Sequence, residues 1–180
     1  MNHLAPVNKK SDIFKAYRGT PIGRFLEYHN LGRPFDNYTK AELLIGMCMD
    51  NRKHLNAPDK FAFIIRSGGA NMRFSEFKIS FAIAVGGAKA MALIGHSQCG
   101  MVNLASRRKV FIEGLKKAGW ERSAAAAHFD QHAPIYEIGD EILFTLSEAK
   151  RLRLRYPKIL IAPMIYRVED NRLYLLKEDA

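Results

Sequence analysis

Three short apolar runs stop, each in turn, at a polar or glycine-rich stretch. Leu43 to Met47 runs into Cys48-Met49-Asp50-Asn51-Arg52, Phe61 to Ile65 into Arg66-Ser67-Gly68-Gly69, and Ala90 to Ile94 into Gly95-His96-Ser97-Gln98-Cys99-Gly100. Unbroken apolar runs of about five residues fit strands buried on both faces of a parallel sheet, and such a sheet collects its chemistry beyond the carboxyl ends of its strands. Both cysteines of the chain stand at such ends.

The spacing elsewhere predicts helices. Asp12 to Asn30 places Ile13, Phe14, Tyr17, Ile22, Phe25, Leu26 and Tyr28 at helical intervals, with Gly19-Thr20-Pro21 dividing two short pieces. Phe74 to Val85 reads as a helix whose Phe74, Phe77, Ile79, Phe81, Ala82 and Val85 cover a sheet face. Further helices are expected from Met101 to Ala118, from Trp120 to His132 and from Gly139 to Tyr156, closed by Gly119 and Pro157. Ile159 to Val168 and Arg172 to Leu176 flank Glu169-Asp170-Asn171 as a hairpin does. Residues 1–10 are polar and expected to fray. The order is that of an α/β fold: a mostly parallel central sheet flanked by helices, with a C-terminal antiparallel edge strand or hairpin. Residues 1–39 read as a helical arm whose aromatic load suits either its own domain or a subunit contact, and residues 40–180 as the α/β domain.

Composition narrows the class. At 180 residues and 48% hydrophobic content the chain builds its own core without disulfide staples, and two cysteines make no disulfide framework. Reduced cysteines point to the cytoplasm. No apolar stretch at the start resembles a signal peptide, and Phe81 to Ile94 is interrupted by Gly86, Gly87 and Lys89, so no membrane span is expected. The net charge of +10 gathers at 107–122 and 150–158, on amphipathic helix surface. Without interleaved aromatics or a recognisable helix-turn-helix spacing, that charge reads as solvated surface, with nucleic acid an unlikely partner.

The sharpest chemical signal is the pair of cysteine-bearing turns. His96-x-x-Cys99 sets two zinc ligands one turn apart at a strand mouth, and Cys48 supplies a third if its strand lies alongside. A Cys2His set leaves the fourth coordination position open. On an extended stretch Cys48, Asp50 and Arg52 point the same way, so Arg52 can grip the Asp50 carboxylate bidentately and hold it off the metal, where it accepts a hydrogen bond from metal-bound water or hydroxide.

Cys48-Met49-Asp50-Asn51-Arg52 and Gly95-His96-Ser97-Gln98-Cys99-Gly100, separated so that 47 residues lie between Cys48 and His96, resemble the β-class carbonic anhydrase family. Phe63 to Gly69 sits where that family carries a strand and an Arg-Asn-Ala-Gly-Asn turn. The resemblance implies zinc on Cys48, His96 and Cys99, Asp50 and Arg52 as the catalytic pair, a homodimer or dimer-based oligomer, and reversible hydration of carbon dioxide to bicarbonate by a metal-bound hydroxide. Ser67-Gly68-Gly69-Ala70 departs from the family turn, and Gln98 stands where an Asp is common. Those departures leave carbonyl sulfide or carbon disulfide hydrolysis as an alternative at the same site, and a non-catalytic zinc-containing nucleic-acid-binding protein as another.

Other residues carry plainer readings. His128 and His132 read as solvated helix, His54 as a surface residue or a proton relay, and His29 has no evident place. Gly68 and Gly69 suit either a tight turn or an anion cradle. Phe25, Tyr28, Phe35 and Tyr38 are expected in the core or a subunit contact rather than lining a pocket for a small gas.

Overall fold

In the computed structural model, which describes residues 3–178, the three apolar runs become neighbouring strands of one six-stranded sheet. In chain order the strands are β1 (Leu4–Pro6), β2 (Leu43–Cys48), β3 (Ala62–Ser67), β4 (Ala90–His96), β5 (Leu160–Arg167) and β6 (Arg172–Leu176), and in space they lie β1-β6-β5-β4-β2-β3. β2, β3, β4 and β5 are parallel, while β6 returns antiparallel beside β5 and β1 lies antiparallel on β6. The mostly parallel sheet with a C-terminal antiparallel hairpin is therefore the architecture that the hydrophobic runs imply. Every residue of β2 and β4 is buried, as the centre of a sheet covered on both faces requires.

The start of the chain departs from expectation. Leu4 to Pro6, read as frayed, pairs with β6 from Leu4↔Leu176 to Pro6↔Tyr174, and the Lys177 amide donates to His3 O at 2.8 Å. Three residues with a proline carry no strand pattern of their own; they are ordered by the open edge of β6, whose backbone groups need partners. Met1 and Asn2, also part of that expectation, lie outside the described residues.

Among the described residues there are five α-helices: α1 (Pro21–Leu31), α2 (Glu76–Ala84) and α5 (Glu141–Arg155), which pack on the sheet, and α3 (Arg108–Lys117) and α4 (Arg122–Tyr136), which pack on each other. The Gly19-Thr20-Pro21 break holds: single 3-10 turns precede it, Thr20 caps α1 by accepting from the Gly23 amide, and Gly32 closes the helix at φ +66. α1 then buries Ile22, Phe25, Leu26 and Tyr28 completely, in one cluster with Ile45 and Met47 of β2, Ile94 of β4 and Tyr166 of β5. Tyr28 meets Phe61 edge-on at 5.5 Å, and its hydroxyl donates to Asp36 Oδ2 at 2.6 Å. Of the aromatic residues in this arm, Tyr17, Phe25 and Tyr28 are buried inside the chain, while Phe35 remains exposed.

On the other face α2 and α5 contribute Ile79, Ala82, Ala149 and Leu152 to a cluster with Leu44, Met91, Leu93 and Ile161. α5 starts on Asp140, whose Oδ1 accepts from the Ile142 and Leu143 amides, and lies so close to β4 that a Cβ at Gly95 would stand 2.3 Å from Thr145 Oγ1. Here α2 corrects the sequence reading. Only Ile79 and Ala82 of its apolar positions are buried; Phe74, Phe77, Phe81 and Val85 face outward, beside exposed Phe63 and Ile64 on the edge strand β3. The apolar content of this segment is too high for one sheet face, so the surplus lies uncovered.

Candidate metal centre

The register of the sheet brings the two cysteine turns together. Met47 of β2 lies opposite Ile94 of β4, so Cys48 ends β2 beside the strand that ends in His96, and a tight turn with Gln98 at φ +56 carries Cys99 back to the same place. All three residues are buried, and one sulfur or nitrogen atom from each lies within 4.8 Å of the other two. Among the described residues no other trio of His, Cys, Asp or Glu is grouped this way.

The donor set fits zinc. Two thiolates at about 2.3 Å on a tetrahedral ion stand about 3.8 Å apart, and Cys48 Sγ and Cys99 Sγ are 3.9 Å apart. His96 Nδ1–H donates to Ser97 O at 2.9 Å, which leaves the lone pair on Nε2, and that buried atom has no hydrogen-bond partner among the described residues. A buried imidazole nitrogen without a donor is costly unless a cation takes its lone pair. The contact between the two sulfurs lowers the pKa of Cys48 and raises that of Cys99. A metal would require both as thiolates. The Glu141 carboxylate, at the start of α5, accepts from the Cys99 amide at 3.2 Å and so anchors the turn.

Asp50 is not part of the trio. Arg52 holds it from one side, with Nη2 at 2.8 Å and Nε at 3.2 Å from Oδ2, Nε at 3.0 Å from Oδ1, and its own amide at 2.9 Å from Oδ1. Arg52 accordingly keeps the Asp50 carboxyl well below the usual carboxylate range. Lys53, invisible to sequence reasoning, is buried and donates from Nζ to Asp50 O at 2.8 Å, fixing the backbone that carries the carboxylate; burial lowers its own pKa.

A cavity of about 570 Å³ is lined by Met49, Ser67, Gly68 and Met101, which neighbour the cysteine turns in sequence, and by Phe74 and Tyr136. His128 and His132, expected as solvated helix, line it, with ring centroids 4.5 Å apart. Phe25, Tyr28, Phe35 and Tyr38 do not: the first two are in the core under α1, Phe35 is exposed, and Tyr38 packs on Phe61. At Gly69, φ +62, a Cβ would meet Ile138 Cγ2 at 2.7 Å, so close packing accounts for this glycine. His54 is exposed, its amide donating to Tyr166 Oη at 3.4 Å, whereas His29 sits between the Asn56 amide and Asn171 O. Neither wall of the cavity nor Lys53 had a signal in the sequence, because α2, α4 and the 48–53 turn meet only in the fold.

No protein-family model matches the chain, and no curated protein matches it. Solved structures do. Carbonic anhydrase from Glaciozyma antarctica superposes with a TM-score of 0.62 at 23% identity, over 78% of this chain and 85% of its own. β-Carbonic anhydrase isoform I from Trichomonas vaginalis gives 0.63 at 14% identity, over 81% and 88%. A carbon disulfide hydrolase in its apo form gives 0.52 at 18% identity, over 74% and 77%. At these identities the likeness is one of fold: the chain has the β-carbonic anhydrase fold.

Proposed function

We propose that this chain, built on the β-carbonic anhydrase fold, is a zinc lyase that interconverts carbon dioxide and bicarbonate. The observation that carries the reading is a buried Cys48, His96 and Cys99 trio spaced for zinc, with Asp50 clamped outside it by Arg52. Zinc held by those three residues supplies Lewis acidity, which makes water acidic enough to yield hydroxide near neutral pH. The rest is the work of the chain. Arg52 keeps the Asp50 carboxylate ionised and turned away from the trio, Lys53 holds its backbone, and the free acceptor capacity of Asp50 orients the attacking oxygen toward a linear substrate. Attack on the carbon of carbon dioxide gives bicarbonate, and one proton leaves for each turnover.

The fold likeness to a carbon disulfide hydrolase supports the competing substrate class, carbonyl sulfide or carbon disulfide with sulfide as product. The ratio of hydration to sulfide release on one preparation decides between them; hydration is expected to dominate. The nucleic-acid reading loses ground because much of the basic surface is paired: Arg108 with Asp130, Arg122 with Glu113, Arg151 with Glu148 and Arg153 with Glu178. The two cysteines are free thiols, which suits a reducing cytoplasm, and among the described residues no helix is long and apolar enough to cross a membrane.

A second copy of the chain is the proposed partner. Phe77 is 82% exposed and Val85 69%, and Phe81 together with Phe63 and Ile64 of the edge strand β3 is exposed as well, an apolar surface that a second copy could cover. Sedimentation of the full chain beside Phe77→Glu tests this. The enzymatic reading is tested by stopped-flow with a pH indicator on zinc-loaded protein, and no rate above buffer between about pH 7 and pH 9 overturns it.

A further inference from the structure

The contacts of Arg52 do not end at Asp50. Its Nη2 also donates to Gln98 O at 2.9 Å and its Nη1 reaches Gln98 Oε1 at 3.4 Å. Gln98 lies between the ligands His96 and Cys99, and its φ of +56 is a conformation that disfavours any residue with a Cβ. Glycine or asparagine is the residue that backbone asks for. A glutamine kept there in spite of its backbone draws attention to what the side chain does.

That side chain is oriented from its far end. Gln98 Nε2 donates to Glu169 Oε1 at 2.9 Å, and an amide that presents its NH2 group to a carboxylate necessarily turns its carbonyl oxygen the other way, toward Arg52. Glu169 is itself fixed in the β5–β6 hairpin. Its Oε2 accepts from Ser97 Oγ at 2.8 Å, Ser97 Oγ accepts from the Val168 amide at 3.0 Å, and Arg167 Nε stands 3.6 Å from the same carboxylate. Arg52, which has only donors, and Glu169, which when ionised only accepts, select the same orientation of the Gln98 amide from its two ends.

We infer that Gln98 and Glu169 are positioning residues: the hairpin carboxylate orients the Gln98 amide, the amide seats the Arg52 guanidinium, and the guanidinium keeps Asp50 off the trio. The inference rests on the zinc reading for its consequence in catalysis, though the link from Glu169 to Arg52 stands on contacts of this chain alone. Glu169 thus reaches Arg52 only through the Gln98 amide.

Gln98→Gly separates this role from a structural one, because it relieves the left-handed backbone while deleting the amide. The melting temperature is expected to stay level or rise, while kcat and kcat/KM fall together by about 10-fold to 100-fold, the usual range for residues that support a metal site from outside its ligands. Glu169→Ala should lower kcat in the same direction, and should add nothing in the Gln98→Gly background, since both act through one guanidinium. A readout independent of turnover is the Arg52 Nε–H resonance, expected to be protected from exchange in the wild-type chain and to lose that protection in both single variants. Wild-type kcat with an equally protected Arg52 in Gln98→Gly overturns the inference, as does a loss of activity that merely follows a loss of thermal stability. A wild-type chain that binds no zinc, or hydrates nothing, sinks the zinc reading instead, and the resonance still decides the link from Glu169 to Arg52.

Discussion

His29 sets a stability difference that pH can read. Its Nδ1 accepts from the Asn56 amide at 3.0 Å and its Nε2–H donates to Asn171 O at 3.1 Å, so the neutral ring is satisfied at both nitrogens and ties α1 to the loop after Arg52 and to the β5–β6 hairpin. Protonation places a second N–H against the Asn56 N–H, in a site where burial already penalises charge. The pKa falls from 6.5 to about 4, chiefly by that burial. A folded-state value below the unfolded one means that the stability is present above about pH 6.5 and is lost as pH falls toward 4. At about 1.4 kcal/mol per pH unit the ceiling is roughly 3 kcal/mol, and partial solvent contact brings it to about 2 kcal/mol. For a chain of this size that corresponds to roughly 4 to 8 °C in melting temperature. His29→Gln has no proton to gain, so thermal melts of the two proteins at a series of pH values isolate the effect: the variant is the less stable at about pH 7.5, and the gap narrows toward about pH 4.5. Parallel curves across that range would refute a ring locked neutral between two backbone groups.

Three other perturbations test separate parts of the argument. Gly95→Ala forces a Cβ to within 2.3 Å of Thr145 Oγ1 and should destabilise the protein by about 1–3 kcal/mol; Thr145→Ala removes the obstructing atom, so the double variant in denaturant titrations should recover at least about 1 kcal/mol of the loss. Arg52→Ala should retain about one zinc per chain by metal analysis while turnover collapses, with an Asp50 oxygen joining the ligands in X-ray absorption, whereas Asp50→Ala should lower activity with the ligand set unchanged. A wild-type rate in Arg52→Ala defeats the clamp. Glu148 is buried on the opposite face, accepting from the Met72 amide at 3.0 Å and from Arg151 at 2.8 Å. Glu148→Ala leaves a buried amide unpaired and should cost about 2–4 kcal/mol in the same titrations.

The grouping of Cys48, His96 and Cys99 and the contact of Arg52 with Asp50 were legible because each residue stands within a few residues of the end of an apolar run, and parallel strands carry such ends to one edge of the sheet whatever the loops do. The class of fold was legible for the same reason. The break at Gly19-Thr20-Pro21 and the cap at Asp140 were local matters of backbone chemistry. What the chain order could not contain was which surface would remain when the layers closed. Phe25 and Tyr28 disappear beneath α1 while Phe77 and Phe81 are left outside, although all four read alike as apolar residues at helical spacing. Only packing decides between them, since a sheet face accepts as much apolar surface as its area allows. Likewise Glu169 lies 71 residues from Gln98 and Lys53 draws its meaning from burial alone. Such contacts depend on side-chain direction and on strand order, β5 beside β4 and β6 beyond it, which no local periodicity records.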